Sequence, residues 1–440
     1  MYRETSRLLL YSDLGEDAIL TRLADIFRDW DGLTDPERTA LRPEFIRRIY
    51  AQVKRLLDLA TLYGFDRNLW QDYLTFLLIT NENSFTLTAE RAVPRAASGG
   101  SVYHFAKADF AVFKRLFHFD FTPIEQALGI DCFTVLTHYT AIPKRAQLYY
   151  RSVSERVQAL SAAIDQAEDA DAVFDLVTAH YRDWGVGMFG LNHAFRLDDN
   201  GALVAINNID HVLLSDLIGY EVQKKTLREN TEAFVHGRSC NNMLLYGDAG
   251  TGKSTSVKAL LNEYSADGLR MIEIYKHQFG QLSQVIAQVK NRNYRFMIFI
   301  DDLSFEEHEV EYKFLKAVIE GGVETRPANV LIVATSNRRH LVRETWRDKS
   351  DMEYENDVHR SDTMEEKLSL AARFGCSVCF NSPNRQQYHD IVRGIALRHP
   401  EITLTPEQLL LEANKWELRH GGISGRTAQQ FINYVAGFTE

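Results

Sequence analysis

Residues 247–254 read Gly247-Asp248-Ala249-Gly250-Thr251-Gly252-Lys253-Ser254, and this stretch decides the fold. It follows an apolar run, Met243-Leu244-Leu245-Tyr246, and opens an amphipathic stretch from Thr255 to Tyr264. A glycine-rich loop between a strand and a helix is the setting in which this spacing cradles a phosphate chain. Gly247, Gly250 and Gly252 let the backbone close around phosphates, so that successive N–H groups point inward. The helix N-terminus adds its partial positive charge. Lys253 is spaced to reach β- and γ-phosphates, and the Ser254 hydroxyl to ligate Mg2+. The loop predicts ATP and Mg2+ as ligands, held by Gly247, Asp248, Ala249, Gly250, Thr251, Gly252, Lys253, Ser254 and Thr255.

Outward from the loop, strand-like apolar runs recur at 242–246, 269–274, 295–300, 329–335 and 376–380, separated by helical stretches. That alternation predicts an α/β core, a five-stranded mostly parallel sheet with helices on both faces. The run Arg295-Phe296-Met297-Ile298-Phe299-Ile300 ends in Asp301-Asp302. An acid at that position can hold Mg2+ opposite Ser254. The next carboxylate, Asp302, can orient and deprotonate an attacking water. A second buried run, Leu331-Ile332-Val333-Ala334-Thr335-Ser336, ends in the amide of Asn337. With the strands of Asp301 and Asn337 flanking the loop strand, Asn337 comes within reach of the γ-phosphate or the water.

The ends of the chain read differently. Residues 384–440 predict three helices, led by Pro383 or Asn384, by Thr405-Pro406-Glu407 and by Ser424. Residues 1–210 read as a mostly helical domain closed by a hairpin at 194–206, where Asp198-Asp199-Asn200-Gly201 supplies the turn. Within it, Ile46, Ile49, Tyr50, Val53, Leu56, Leu57 and Ala60 recur at helical spacing, and Phe110, Phe113 and Phe117 form a stripe read as packed core. Val93 to Ser101 reads as a linker or loop. The predicted division is 1–210, 211–383 and 384–440.

Composition sets limits on function. A net charge of −10 argues against nucleic-acid binding by the whole surface. Four cysteines in 440 residues imply no disulfide framework. No apolar run approaches membrane-spanning length, and the N-terminus lacks a signal-peptide core, so a cytoplasmic protein is expected.

Taken together, these motifs resemble the AAA+ ATPases. Asp216-Leu217-Ile218-Gly219-Tyr220-Glu221 is similar to the segment covering the adenine, which implies base contacts from Ile218 and Gly219. The stretch Glu366 to Gly375, with Leu370-Ala371-Ala372-Arg373-Phe374, resembles an arginine-finger box of the initiator and helicase-loader branches. Gly422-Ile423-Ser424-Gly425-Arg426 resembles the second sensor. The resemblance implies that Arg373 reaches a neighbouring subunit's γ-phosphate and that Arg426 reads the γ-phosphate from a helical lid, both suited to forked arginine donors. It also implies a homo-oligomer when ATP is bound. Stretches such as Asp301-Asp302-Leu303-Ser304-Phe305-Glu306 and Ala334 to Leu341 are similar to a bacterial family of predicted AAA+ ATPases known as a domain of unknown function. The similarity extends to Met188-Phe189-Gly190-Leu191 in the N-terminal region.

The family pattern places Glu after the metal-binding Asp, whereas this chain has Asp302. One fewer methylene shortens the reach by about 1 Å, which predicts slow basal hydrolysis; Glu306 is a substitute base or a helix-start residue. The expected function is thus ATP hydrolysis driving conformational change in an unidentified protein partner bound through the N-terminal domain. Two rivals are a helicase-loader-like factor, with Arg338 and Arg339 on phosphates, and a nucleotide-gated scaffold with little turnover. Cys376-Ser377-Val378-Cys379 reads as core rather than a zinc site, Glu306-Glu307-His308-Glu309 as a solvated helix start, and 343–367 as an exposed insertion. Phe279-Gly280 follows the second strand of the core and reads as a plain loop more readily than a substrate-threading one.

Overall fold

The computed structural model describes residues 1–90, 100–142, 151–207, 209–305, 311–320, 327–337 and 370–437. The chain divides into two compact units, Met1–Leu191 and Asn192–Glu440.

The described part of the first unit is helical. Its longer helices are α1 (Ile19–Asp31), α2 (Asp35–Tyr63), α3 (Leu69–Thr80), α4 (Ser101–Phe117), α5 (Arg151–Gln166) and α6 (Ala170–Trp184). The start of α2 follows from its sequence, because the Glu37 carboxylate accepts from the Thr34 N–H at 2.8 Å and Pro36 occupies the first turn. Gly64 closes it with a left-handed φ of 70°. Ile49, Leu56 and Ala60 face the core as their spacing predicts, while Tyr50 is 47% exposed and lies off that face. Phe110, Phe113 and Phe117 are buried in one apolar core with Trp70 and Phe85.

The described residues of the second unit form a seven-stranded sheet. Its strands are β1 (Ala194–Leu197), β2 (Leu203–Ala205), β3 (Met243–Gly247), β4 (Leu269–Glu273), β5 (Arg295–Ile300), β6 (Val330–Ser336) and β7 (Cys376–Phe380). The order is β2-β1-β4-β5-β6-β3-β7. Every neighbouring pair is parallel except the β1–β2 hairpin. Met243, Leu245, Met271, Met297, Phe299, Leu331 and Val333 pack into one core with the helix residues Leu227, Val257 and Leu260. The alternate residues Leu244, Ile272, Ile298 and Ile332 are equally buried. Both faces are covered, as a parallel sheet requires.

Two expectations are corrected here. The hairpin does not close the helical region: Ala194 pairs with Met271 and Phe195 with Ile272, so β1 and β2 extend the five predicted strands to seven. The reason lies in β1 itself, whose Ala194, Phe195 and Leu197 are all buried, as in a strand with neighbours on both sides. The break between units accordingly falls after Leu191, not near 210. The second correction concerns β3. It is flanked by β6 and β7, while the strand bearing Asp301 is one place further out.

Three helices follow the sheet: α7 (Arg385–Ala396), α8 (Pro406–Arg419) and α9 (Gly425–Gly437). Asn384 Oδ1 accepts from the Gln387 N–H, Thr405 Oγ1 from Gln408, and Ser424 Oγ from Thr427. Tyr388, Val392, Leu409, Ala413, Phe431 and Ile432 form their own small core.

Candidate active site

The phosphate loop leaves β3 at Gly247 and enters a helix spanning Lys253–Tyr264. Gly247, Gly250 and Gly252 adopt φ of 130°, 74° and 92°, which side chains other than hydrogen rarely tolerate. Space excludes them too. A Cβ at Gly247 would lie 2.2 Å from the Phe380 carbonyl oxygen, and one at Gly252 would lie 2.7 Å from Leu217 Cδ2. At Gly247 the obstruction is backbone, so that position admits only glycine.

Within it, Lys253 turns back on its own loop. Its Nζ donates to the carbonyls of Gly247 at 2.9 Å and Asp248 at 2.6 Å, and to Asn337 Oδ1 at 3.0 Å. Burial lowers the Lys253 pKa, opposed by the carboxylates of Asp248, Asp302 and Asp301. The Asp248 carboxylate accepts from the Ser382 N–H and Oγ, both at 2.7 Å. Those bonds hold its pKa below the usual range. They also fasten the loop to the segment that leads from β7 to α7.

The acids converge on the same place. Ser254 Oγ donates to Asp301 Oδ1 at 2.6 Å. That pair of hard oxygen donors, beside a phosphate cradle, suits Mg2+. Asp302 has a left-handed backbone, φ 50°, a conformation Asp adopts more readily than most residues. Asn337 Nδ2 donates to Asp302 Oδ1 at 2.8 Å. Because β6 lies between β3 and β5, Asn337 touches Lys253 with one end of its amide and Asp302 with the other. The sheet order corrected above is what makes this bridge reachable.

The predicted base side and lid also meet the loop. The Arg426 N–H donates to the Gly250 carbonyl at 3.1 Å, so the start of α9 sits on the loop. The Arg426 charge is close enough to disfavour the charged form of Lys253. Ile218 packs with the lid core, and a Cβ at Gly394 would lie 2.2 Å from its Cδ1. Gly219 and Tyr220 both have positive φ, 80° and 59°. Tyr220 OH donates to the Asn381 carbonyl at 2.8 Å.

Arg373 stands apart from this cluster. Cys376 pairs with Met243 and Phe380 with Gly247, so Arg373 precedes β7 at the end of the sheet opposite the phosphate loop. Four strand steps, about 13 Å, separate those two levels. Phe279 is buried against Phe305, which ends the threading-loop reading of Phe279-Gly280. Glu306 to Glu309, Arg338, Arg339, most of 93–101, the 343–367 insertion and Glu366 to Ser369 lie outside the described residues.

Two partners were missed in the sequence. Thr335, 1% exposed, touches both acids through its hydroxyl. Ser382 anchors Asp248. The first had a signal, the polar pair Thr335-Ser336 at the end of an apolar strand; the second had none.

A family model described as "Protein of unknown function (DUF815)" matches residues 191–439, more than half of the chain. The chain belongs to that family. The strand order and phosphate loop of this DUF815 chain form the α/β P-loop core that the AAA+ resemblance implies. It is 27% identical to the human ATPase family gene 2 protein homolog A over 189 residues, 39% of this chain and 18% of that protein. It is 34% identical to a replication factor C large subunit of Methanococcus maripaludis over 74 residues, 17% of this chain and 15% of that protein. The DUF815 chain thus spans less than a fifth of the length of these relatives. Among solved structures, the Thermotoga maritima RuvB Holliday junction branch migration motor aligns with a TM-score of 0.31 and 16% identity, covering 50% of this chain and 71% of that one. No described helix of the chain is long and apolar enough to cross a membrane.

Proposed function

We propose that this chain is a Mg2+-dependent ATPase that turns over only when assembled with further copies of itself. The observation that carries the reading is the bridge of Asn337 between Lys253 and Asp302, next to the contact of Ser254 with Asp301. These side chains gather in one place the parts that phosphoryl transfer needs.

Each has a role in this reading. The glycines and loop N–H groups bind the phosphate chain of ATP, and Lys253 exchanges its own loop carbonyls for phosphate oxygens. Ser254 and Asp301 would hold Mg2+, which would supply positive charge to the phosphate chain. Asp302, oriented by Asn337, accepts the proton of the attacking water. Ile218 and Gly219 line the base side. Arg426 reports the γ-phosphate to the lid, because its helix already rests on Gly250.

Arg373 acts in a neighbouring copy. Its position at the far end of β7 supports that role, since an arginine side chain does not span the sheet to its own phosphate loop. The helical region before Asn192 serves as the partner-binding part. That assignment rests on the phosphate-loop, acid and lid residues named above all lying after Asn192.

The Asp302 role is tested by Asp302→Asn. A general base contributes about 10²- to 10⁴-fold, so turnover should fall by that factor while a fluorescent ATP analogue still binds. Undiminished turnover would remove Asp302 from the mechanism. Tight ATP binding with no hydrolysis by the wild type in any assembly state would favour a nucleotide-gated scaffold.

A further inference from the structure

Resting on the ATPase reading, we infer that Thr335 is the positioning residue of the acid pair, setting both the Asp301 carboxylate and the Asp302 backbone from the neighbouring strand. Three contacts carry this. Thr335 Oγ1 donates to Asp301 Oδ1. The same oxygen accepts from the Asp302 N–H at 2.9 Å. The Thr335 carbonyl accepts from the Leu303 N–H at 2.7 Å. One residue thus holds three consecutive residues at the point where β5 stops.

The register explains why the task falls to this position. The last β5–β6 pair is Ile300 with Ala334, so Asp301 and Thr335 are the next residues on each strand. Beyond that pair the chain turns out of the sheet, and Asp302 takes its left-handed φ. A left-handed conformation is unfavourable for residues other than glycine, though less so for Asp than for most. The Thr335 hydroxyl, buried with its strand, gives the Asp302 N–H an acceptor in that turned-out geometry. The same hydroxyl donates to an Asp301 oxygen that also accepts from Ser254 Oγ at 2.6 Å and from the Asp302 N–H at 3.1 Å. Three donors thus converge on that one charged oxygen and hold it in place.

This arrangement bears on the short acid at 302. Its reach depends on where the backbone starts and on which way the side chain leaves it. Thr335 sets the first through the N–H, and Asn337 sets the second through the Asp302 carboxylate. Deleting the hydroxyl while keeping the volume should therefore degrade chemistry and metal binding together, without touching the phosphate cradle.

The test compares Thr335→Val with Thr335→Ser in the full chain, with three readouts. The first is amide hydrogen exchange at Asp302 in nucleotide-free protein. It should quicken severalfold in Thr335→Val, where the N–H keeps only the longer bond to Asp301 Oδ1, and stay near the wild-type rate in Thr335→Ser. The second is Mn2+ affinity of the ATP complex, followed by electron paramagnetic resonance. Loss of a residue that orients a ligand costs about 10- to 100-fold in metal affinity, and Thr335→Ser should recover it. The third is ATP turnover. Misplacement by about 1 Å costs on the order of 10²-fold, so kcat should fall in that range with KM within about twofold. Thr335→Cys, close in volume and a weaker donor, carries the same expectation should the valine variant fold poorly.

Wild-type exchange, Mn2+ affinity and kcat in Thr335→Val would overturn the inference. So would a Thr335→Ser protein as impaired as Thr335→Val, since the hydroxyl would then not be the operative group. A wild-type protein that neither binds nor hydrolyses ATP would instead remove the ATPase reading. The exchange readout, taken without nucleotide, would still decide whether Thr335 holds the turn.

Discussion

The two units bury polar groups in contrasting ways. In the helical unit, Asp109 and the pair Tyr11 and Tyr181 are satisfied by neighbours that have no reason to let go. Asp109, fully buried, accepts from the N–H groups of Leu9, Leu10 and Tyr11 at 2.8–3.2 Å. Tyr11 OH and Tyr181 OH lie 2.8 Å apart, and Tyr181 OH donates to the Leu78 carbonyl at 2.7 Å. These bonds tie distant segments into one core. In the nucleotide unit, the polar groups at the ends of β3, β5 and β6 hold one another instead. Lys253 rests on its own carbonyls, Ser254 on Asp301, and Asn337 between Lys253 and Asp302. Each such bond can be exchanged for one to phosphate, Mg2+ or water. Permanent satisfaction marks scaffold; exchangeable satisfaction marks a site.

This contrast can be broken at either unit. The larger effect is expected at Asp109. Asp109→Ala strands three backbone donors, and an unsatisfied buried donor costs about 1–3 kcal/mol. With one of the three near solvent, a loss of about 3 kcal/mol in the stability of the helical unit is expected, read by thermal or denaturant unfolding. Nucleotide affinity should stay unchanged. A variant that instead lost ATP binding while keeping its stability would invert the comparison.

A smaller, pH-dependent effect sharpens it. Burial pushes the Asp72 carboxyl up to about 7, and burial pushes the His180 imidazole down to about 4. For Asp72 the folded pKa exceeds the unfolded one. Its contribution therefore falls as pH rises from about 4 to 7 and is constant above. For His180 the folded pKa lies below the unfolded one, so its contribution rises from about pH 4 to 6.5. The two slopes oppose each other up to about pH 6.5. Asp72→Asn removes the falling one. The variant should gain on the wild type across about pH 4–7, by up to about 1.4 kcal/mol per pH unit, in denaturant titrations. A difference independent of pH would mean that Asp72 ionises normally in the folded protein.

Much of this was legible in the sequence, and the reasons are specific. Glycines at 247, 250 and 252, a strand before them and a helix after them leave few folds open. The strand runs at 269, 295, 330 and 376 could be read because buried parallel strands are apolar throughout. The caps Asn384, Thr405 and Ser424 marked the lid helices because capping is a local hydrogen bond. What depended on pairing was not legible. The hairpin of β1 and β2 has a strong turn signal, yet nothing local says that β1 also pairs with β4. The placement of β6 between β3 and β5, which lets Asn337 bridge Lys253 and Asp302, is a property of the whole sheet. Thr335 and Ser382 act across strands or between loop and lid, so a single sequence gives their residue type without their partner.

In the proposed mechanism, a second copy of the chain completes the ATPase site. The most direct measurement is Mg2+-dependent ATP turnover per protomer against protein concentration, for the wild type and Arg373→Ala. An arginine finger supplied by a neighbouring subunit is worth about 10³- to 10⁵-fold. The wild-type rate should climb with concentration and then level off, while Arg373→Ala stays lower by about 10³-fold with ATP binding intact. A rate per protomer independent of concentration and untouched by Arg373→Ala would contradict the account.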